Sequence, residues 1–335
     1  MKANDTILEA IGNTPLVKLQ RLVGDEDATV LCKCEFLNPS GSAKDRLVVH
    51  ALEQALARGE IAPGGTVVEN TSGNTGAALA TWAAVRGVRC IFTIPDKMSN
   101  EKIDTLKALG AEVVVCPTAV LASSPESYYE TAKRLARETG GYYLNQYHNP
   151  ANIEAHYTLT GPEVWRQVEG EVDVFVAGLG TGGTMSGAGR FLKEQKASIR
   201  NVGVDPVGSV FHSLFTRGEA DTPHVYQVEG IGEDMPCGAL DFSVLDEVFQ
   251  VNDAQCFSTA RRLAREEGLF VGGSSGGSVY AALQLARELG QGKTIVAICT
   301  DGGKSYISKF YSDEWMKDNG FAETLVQEAA GEVAA

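Results

Sequence analysis

The sequence predicts an α/β fold of two lobes, each a mostly parallel, twisted sheet flanked by helices. Three observations predict it. Short β-branched runs alternate with amphipathic helical stretches along nearly all 335 residues, the signature of strand–crossover–strand units. Several runs, VDVFVA at 172–177 and TIVAIC at 294–299 among them, are apolar at nearly every position, as strands are when helices cover both faces of their sheet. A hydrophobic share of 44% over this length supports a large core divided between two lobes.

The elements follow in order. TVLCKCEF at 29–36 reads as a strand. Pro39, Ser40 and Gly41 turn the chain, and Ser42 is the expected N-cap of a helix that carries Lys44 just inside its start. Further strands fall at 66–69, 90–94, 112–116, 172–177, 201–205 and 294–299. Helical periodicity falls between them, at 76–86, 100–109, 127–138, 184–194, 253–267 and 278–289. Residues 1–40 together with 150–320 are assigned to the larger lobe and 41–149 to a smaller, mobile one. The Ala- and Glu-rich stretch 321–335 reads as a loose tail.

Bulk charge narrows the partners. The net charge is −14 and Lys and Arg form no long run, which argues against nucleic acid. No apolar stretch approaches the roughly 20 residues of a membrane span. The N-terminus, MKANDTILEAIGN, lacks the apolar run of a secretory signal, so the expected location is cytoplasmic. The seven cysteines are scattered through apolar segments and read as small hydrophobes. Cys32 and Cys34 lack the second pair that a structural metal site needs. The five histidines show neither ligand spacing nor a triad pattern, and no metal ligand is assigned.

Four loops concentrate the chemistry. Residues 38–46, NPSGSAKDR, put Lys44 beside the positive end of a helix dipole in a partly closed site. Both effects disfavour the ammonium form and leave the neutral amine that a Schiff base with an aldehyde cofactor requires. Residues 69–76, ENTSGNTG, follow a strand and open a helix. The hydroxyls of Thr71, Ser72 and Thr75, the Asn74 amide and the free backbone N–H groups suit a carboxylate; Asn74 can equally bond a ring substituent.

Residues 178–184, GLGTGGT, lie between an apolar strand and a helix, and Gly180, Thr181, Gly182, Gly183 and Thr184 can cradle a phosphate. The same loop admits another reaction class. Gly178, Gly180 and Gly183 match G-x-G-x-x-G, and Asp205 ends the next strand, as in the nicotinamide site of an oxidoreductase. Against that stand the mid-chain position and a density of hydroxyls better suited to a terminal phosphate than to a bridging pyrophosphate. In residues 272–277, GGSSGG, Ser274 can meet a ring nitrogen. A neutral hydroxyl there would not hold a pyridine protonated, which suits β-elimination over transamination. Residues 290–294, GQGKT, resemble a phosphate-binding loop but precede a strand instead of following one.

Lys44 in PSGSAKDR, TSGNTG at 71–76, GTGGT at 180–184 and GGSSGG at 272–277, in this order, resemble the fold-type II pyridoxal-phosphate enzymes, the tryptophan synthase β family. Three further segments are similar to the cystathionine β-synthase branch: PDKMSNEK at 95–102, VEGIGED at 228–234 and KFYSDEWM at 309–316. The resemblance implies roles for individual residues. Lys44 would form the Schiff base and move the α-proton, and Asn74 would bond the cofactor's 3-hydroxyl oxygen. Gly180 to Thr184 would hold its phosphate and Ser274 its ring nitrogen. Thr71, Ser72, Thr75 and Gln146 would bind the substrate carboxylate, with Glu229 and Asp234 near the entrance for a second substrate. It implies β-replacement on serine through an aminoacrylate, with homocysteine giving cystathionine, or, as the alternative branch, O-acetylserine and sulfide giving cysteine. It further implies a homodimer acting on small amino acids. About ten residues, without Cys or His, precede Ile11, so no haem is expected; about twenty follow Trp315, so no regulatory adenosyl-ligand domain is expected.

Overall fold

The computed structural model describes residues 3–71, 73–96, 100–117, 119–121 and 123–329. Among them ten strands, numbered along the chain, form two sheets: β1 (Leu16–Lys18), β2 (Thr29–Cys34), β3 (Thr66–Asn70), β4 (Arg89–Pro95), β5 (Glu112–Cys116), β6 (Tyr142–Tyr143), β7 (Val174–Gly178), β8 (Arg200–Pro206), β9 (Glu247–Val251) and β10 (Thr294–Cys299). The chain divides into two compact units, one of residues 1–12 and 38–151, the other of 13–37 and 152–335.

In the first unit four strands run in the order β5-β4-β3-β6, all parallel. On one face Val67, Phe92 and Ile94 are fully or almost fully buried with Leu47, Leu52, Leu79 and Trp82 of the helices Lys44–Ala57 and Asn74–Arg86. On the other, Val68 and Ile91 are buried with Ala132 and Ala136 of the helix Tyr128–Thr139, and burial on both faces is what unbroken apolar runs require. In the second unit six strands run β1-β2-β10-β7-β8-β9. Only β1, paired with β2, is antiparallel. Val30, Val176, Val202, Val204 and Ile295 form its core with the helix Gly273–Leu289.

The two sheets agree with the α/β expectation, but the chain's first segment differs from it. Residues 1–12 belong to the first unit, where Leu8 joins the core and the Gly12 N–H donates to Asn38 Oδ1 at 2.9 Å. The second unit resumes only at Asn152. The expected loose tail begins with a helix, Ala322–Ala329, and Phe321 packs edge-on to Phe257 at 5.2 Å; that apolar contact anchors a stretch whose composition reads as solvated. No helix of the described residues is long and apolar enough to cross a membrane.

Candidate active site

One group of the candidate residues lies in the first unit. Lys44 opens the helix Lys44–Ala57 and is half-buried. The N-cap position falls on Ala43, one residue past the expected Ser42, because the Ser42 hydroxyl turns forward and accepts the Lys44 N–H at 3.3 Å. Asp45, buried beside Lys44, accepts the Ser40 N–H at 3.1 Å and the Ser40 hydroxyl. Burial raises its pKa, while the Ser40 bonds pull the other way. Asp45 thus ties the 38–42 turn to the helix start and fixes where the lysine projects.

β3 delivers the second loop. Thr71 Oγ1 accepts the Gly76 N–H at 3.1 Å. The Thr75 hydroxyl donates to Gln146 Oε1 at 2.7 Å, and both residues are buried. The structure therefore brings Thr71, Thr75 and Gln146 together at the start of the helix that Asn74 opens; Ser72 lies outside the described residues. Glu69, unremarked in the sequence, is what sets Gln146. Its Oε2 accepts the Asn145 N–H at 2.7 Å and is also bonded by the Gln146 N–H. Asn145 takes a left-handed φ of +50° to make that turn. Burial pushes the Glu69 carboxyl up to about 8, against the pull of those two N–H groups. The Tyr143 hydroxyl, on β6, donates to Asn70 Oδ1.

A second group lies in the second unit. β7 ends at Gly178, and the chain passes through Gly180 to Thr184 into the helical turn Met185–Gly189. Gly182 sits at φ +88°, and a Cβ there would lie 2.4 Å from the Leu240 Cβ, so both conformation and contact demand glycine. Asn152 Nδ2 donates to Thr181 Oγ1 at 2.9 Å. His156 Nε2 lies 3.2 Å from Thr184 Oγ1, and its Nδ1 lies 2.9 Å from Thr160 Oγ1.

Ser274 falls in the first turn of the helix that begins at Gly273, not ahead of it, since Gly272 is the N-cap. It is 1% exposed, and its hydroxyl has no hydrogen-bond partner among the described residues. Gly230 borders both features. A Cβ on Gly180 would lie 2.7 Å from the Gly230 carbonyl oxygen, and one on Gly230 would lie 3.5 Å from Ser274 Oγ. Glu229, next in sequence, accepts from Lys309 Nζ, while Asp234 is exposed.

These residues fit pyridoxal phosphate. A loop of glycines and threonine hydroxyls opening a helical turn suits a phosphate dianion. A buried serine hydroxyl still lacking a partner, one glycine away, suits a ring nitrogen, since an unsatisfied buried hydroxyl is costly. Asp205, the acidic residue of the dinucleotide reading, is fully buried; its Oδ2 accepts the His212 N–H at 2.9 Å, and its Oδ1 has no partner among the described residues. The seven cysteines are free and buried. Burial pushes the Cys90 thiol up to about 11 and those of Cys34 and Cys237 to about 12, which keeps them protonated and unreactive.

The class defined by this fold and these loops is a cofactor-dependent α/β enzyme, and sequence comparison agrees. Residues 7–301 match the family model described as "Pyridoxal-phosphate dependent enzyme", and the chain belongs to that family. It is 45% identical over 325 residues to the cystathionine beta-synthase of Apis mellifera, a match covering 96% of this chain and 64% of the relative. It is 44% identical to that of Mus musculus, covering 94% and 56%, and 43% identical to that of Saccharomyces cerevisiae, covering 93% and 64%. The chain thus spans less than two thirds of the length of these curated relatives. Among solved structures it superimposes on O-ureido-L-serine synthase with a TM-score of 0.86 and 36% identity, over 92% of this chain and 95% of that one.

Proposed function

We propose that the protein replaces the β-hydroxyl of L-serine with the thiolate of L-homocysteine, giving cystathionine and water. The observation that carries the reading is the buried Ser274 hydroxyl, without a partner among the described residues, beside a phosphate-type loop, in a chain whose curated relatives bear the name cystathionine beta-synthase.

When bound, pyridoxal phosphate supplies the electron sink that makes the α-proton acidic and the β-substituent labile. Around it the residues divide the work. Lys44 would hold the cofactor's aldehyde through its amine, and as a free amine it would take the α-proton from the substrate and later return one. Gly180 to Thr184 hold the phosphate, and Asn74 meets the ring oxygen. The neutral Ser274 hydroxyl meets the ring nitrogen without fixing a proton there, which favours elimination and replacement over transamination. Thr71, Thr75 and Gln146, with Ser72, receive the substrate carboxylate. The Thr75–Gln146 bond presets that pocket, so less ordering remains when the amino acid binds. Residues 41–149 act as the mobile lobe that excludes water. Glu229 and Asp234 stand at the entrance for the thiol, and the working species is a homodimer; light scattering that shows a monomer at micromolar concentration would refute the dimer.

The likeness to O-ureido-L-serine synthase supports a second reading, in which another nucleophile attacks an activated serine. A paired steady-state assay tests both. Serine plus homocysteine is expected to give cystathionine with the higher kcat/KM. A higher value for O-acetylserine plus sulfide makes the protein a cysteine synthase and removes the homocysteine assignment while leaving the cofactor residues in place.

A further inference from the structure

The threonine hydroxyls of the phosphate loop are ambivalent: each can donate to an anion or turn its proton elsewhere. A dianion rewards only donation. What decides the direction lies on one helix face. Asn152 and His156 are four residues apart on the continuous helical stretch of Ala151–Ala155 and His156–Thr160, and each is 2% exposed. Asn152 Nδ2 donates to Thr181 Oγ1 at 2.9 Å. His156 reaches Thr184 Oγ1 with Nε2 at 3.2 Å and Thr160 Oγ1 with Nδ1 at 2.9 Å.

The packing looks built for these contacts. A Cβ on Gly183 would lie 2.0 Å from Asn152 Oδ1, and one on Gly187 would lie 2.2 Å from the Ile153 carbonyl oxygen and 2.7 Å from the Tyr157 nitrogen. Two glycines therefore let the loop and its helical turn press directly onto the Asn152–His156 face. That face widens to a π-turn at His156–Thr160, a departure from α geometry that recurs where a side chain must be aimed.

We propose that Asn152 and His156 are positioning residues which cap the acceptor side of Thr181 and Thr184, forcing both hydroxyl protons toward the cofactor phosphate. In this arrangement His156 carries its proton on Nε2 and donates it to Thr184, while Nδ1 accepts from the Thr160 hydroxyl. Each buried donor occupies a threonine lone pair and polarises the O–H that remains. The inference rests on the reading of residues 180–184 as the phosphate loop.

The test compares pyridoxal phosphate with pyridoxal, which carries the same aldehyde and ring but no phosphate. Apo-protein, prepared from the holoenzyme with hydroxylamine, is titrated with each by fluorescence. Asn152→Asp is isosteric but turns a donor into an acceptor. It is expected to weaken pyridoxal phosphate about 100-fold and pyridoxal hardly at all. His156→Phe is expected to cost about tenfold, again for the phosphorylated ligand alone, and His156→Gln, whose amide nitrogen can still donate, to restore affinity to within about threefold. In a Thr184→Ala background His156→Phe is expected to cost nothing further. Equal losses for both ligands, no loss for either, or an undiminished cost in the Thr184→Ala background would overturn the inference. A parent protein that fails to prefer pyridoxal phosphate over pyridoxal would instead remove the phosphate-loop reading itself, and the inference with it.

Discussion

Glu69 is a buried acid whose titration has a calculable consequence. Its carboxyl is fully buried, its Oε1 has no partner among the described residues, and burial moves its pKa from 4.5 up to about 8. In the folded protein at neutral pH the group is mostly protonated; in the unfolded chain it has released its proton. The folded state therefore binds more protons between the two values, and stability falls as pH rises from about 4.5 to about 8. The slope approaches 1.4 kcal/mol per pH unit, and the full difference is at most about 5 kcal/mol. Glu69→Gln keeps the shape and an oxygen for the Asn145 N–H but removes the titration. Urea unfolding of both proteins by circular dichroism, at each unit from pH 5 to pH 9, isolates the effect, because every other titrating group is shared. Near pH 5 the two should be about equally stable; by pH 9 the variant should be ahead by about 2–5 kcal/mol. A gap that stays constant across the range, or one in which the parent protein gains on the variant as pH rises, would refute the reasoning.

Other expected outcomes are as direct. Lys44→Ala should abolish turnover and the absorbance above 400 nm of the purified protein; a variant retaining full activity would sink the assignment of the lysine. Gly182→Ala, which forces a Cβ to within 2.4 Å of Leu240 at φ +88°, should weaken pyridoxal phosphate by about 100-fold or more in an apo-protein titration. Thr75→Val breaks a buried 2.7 Å hydrogen bond to Gln146, and KM for the amino acid should rise about tenfold or more with cofactor affinity unchanged. Lys33, fully buried and bonded to Glu163, Gln167 and the Thr14 carbonyl, should cost about 3–5 kcal/mol in denaturant melts when changed to Met, because the Glu163 charge is then left buried without its partner.

Where a feature depends on local pattern, the sequence is close to the structure. The run 112–116 is the strand Glu112–Cys116 and 294–299 the strand Thr294–Cys299, while 66–69 and 201–205 fall one residue or so short. β6 has two residues, and β1 three, too few to show a period. The helix Gly273–Leu289 was visible only from 278, since glycines are poor helix formers. The reason they are tolerated is tertiary. A Cβ on Gly276 would lie 2.0 Å from the Cys256 carbonyl oxygen, so this helix presses against Asp253–Arg262 more closely than any side chain permits, and packing overrides propensity.

The residues that hold the site were harder to see than those that form it, for a physical reason. A glycine-rich turn or a helix-start lysine announces itself within ten residues. The burial of an Asn, His or Glu is decided by its partner, and those partners are remote: Glu69 finds Asn145 across 76 positions, Asn152 finds Thr181 across 29, and His156 finds Thr184 across 28. Read singly, each looks like a solvated polar residue. Each in fact bonds a group that must keep one orientation: the Asn145 turn at +50° that presents Gln146, and the two threonine hydroxyls. A loop of small residues has little packing of its own to hold its geometry, so its rigidity has to come from polar partners buried behind it. Polar residues of strands and helices that sit just behind a recognisable glycine-rich loop are therefore the ones to suspect of burial, even where composition places them in water.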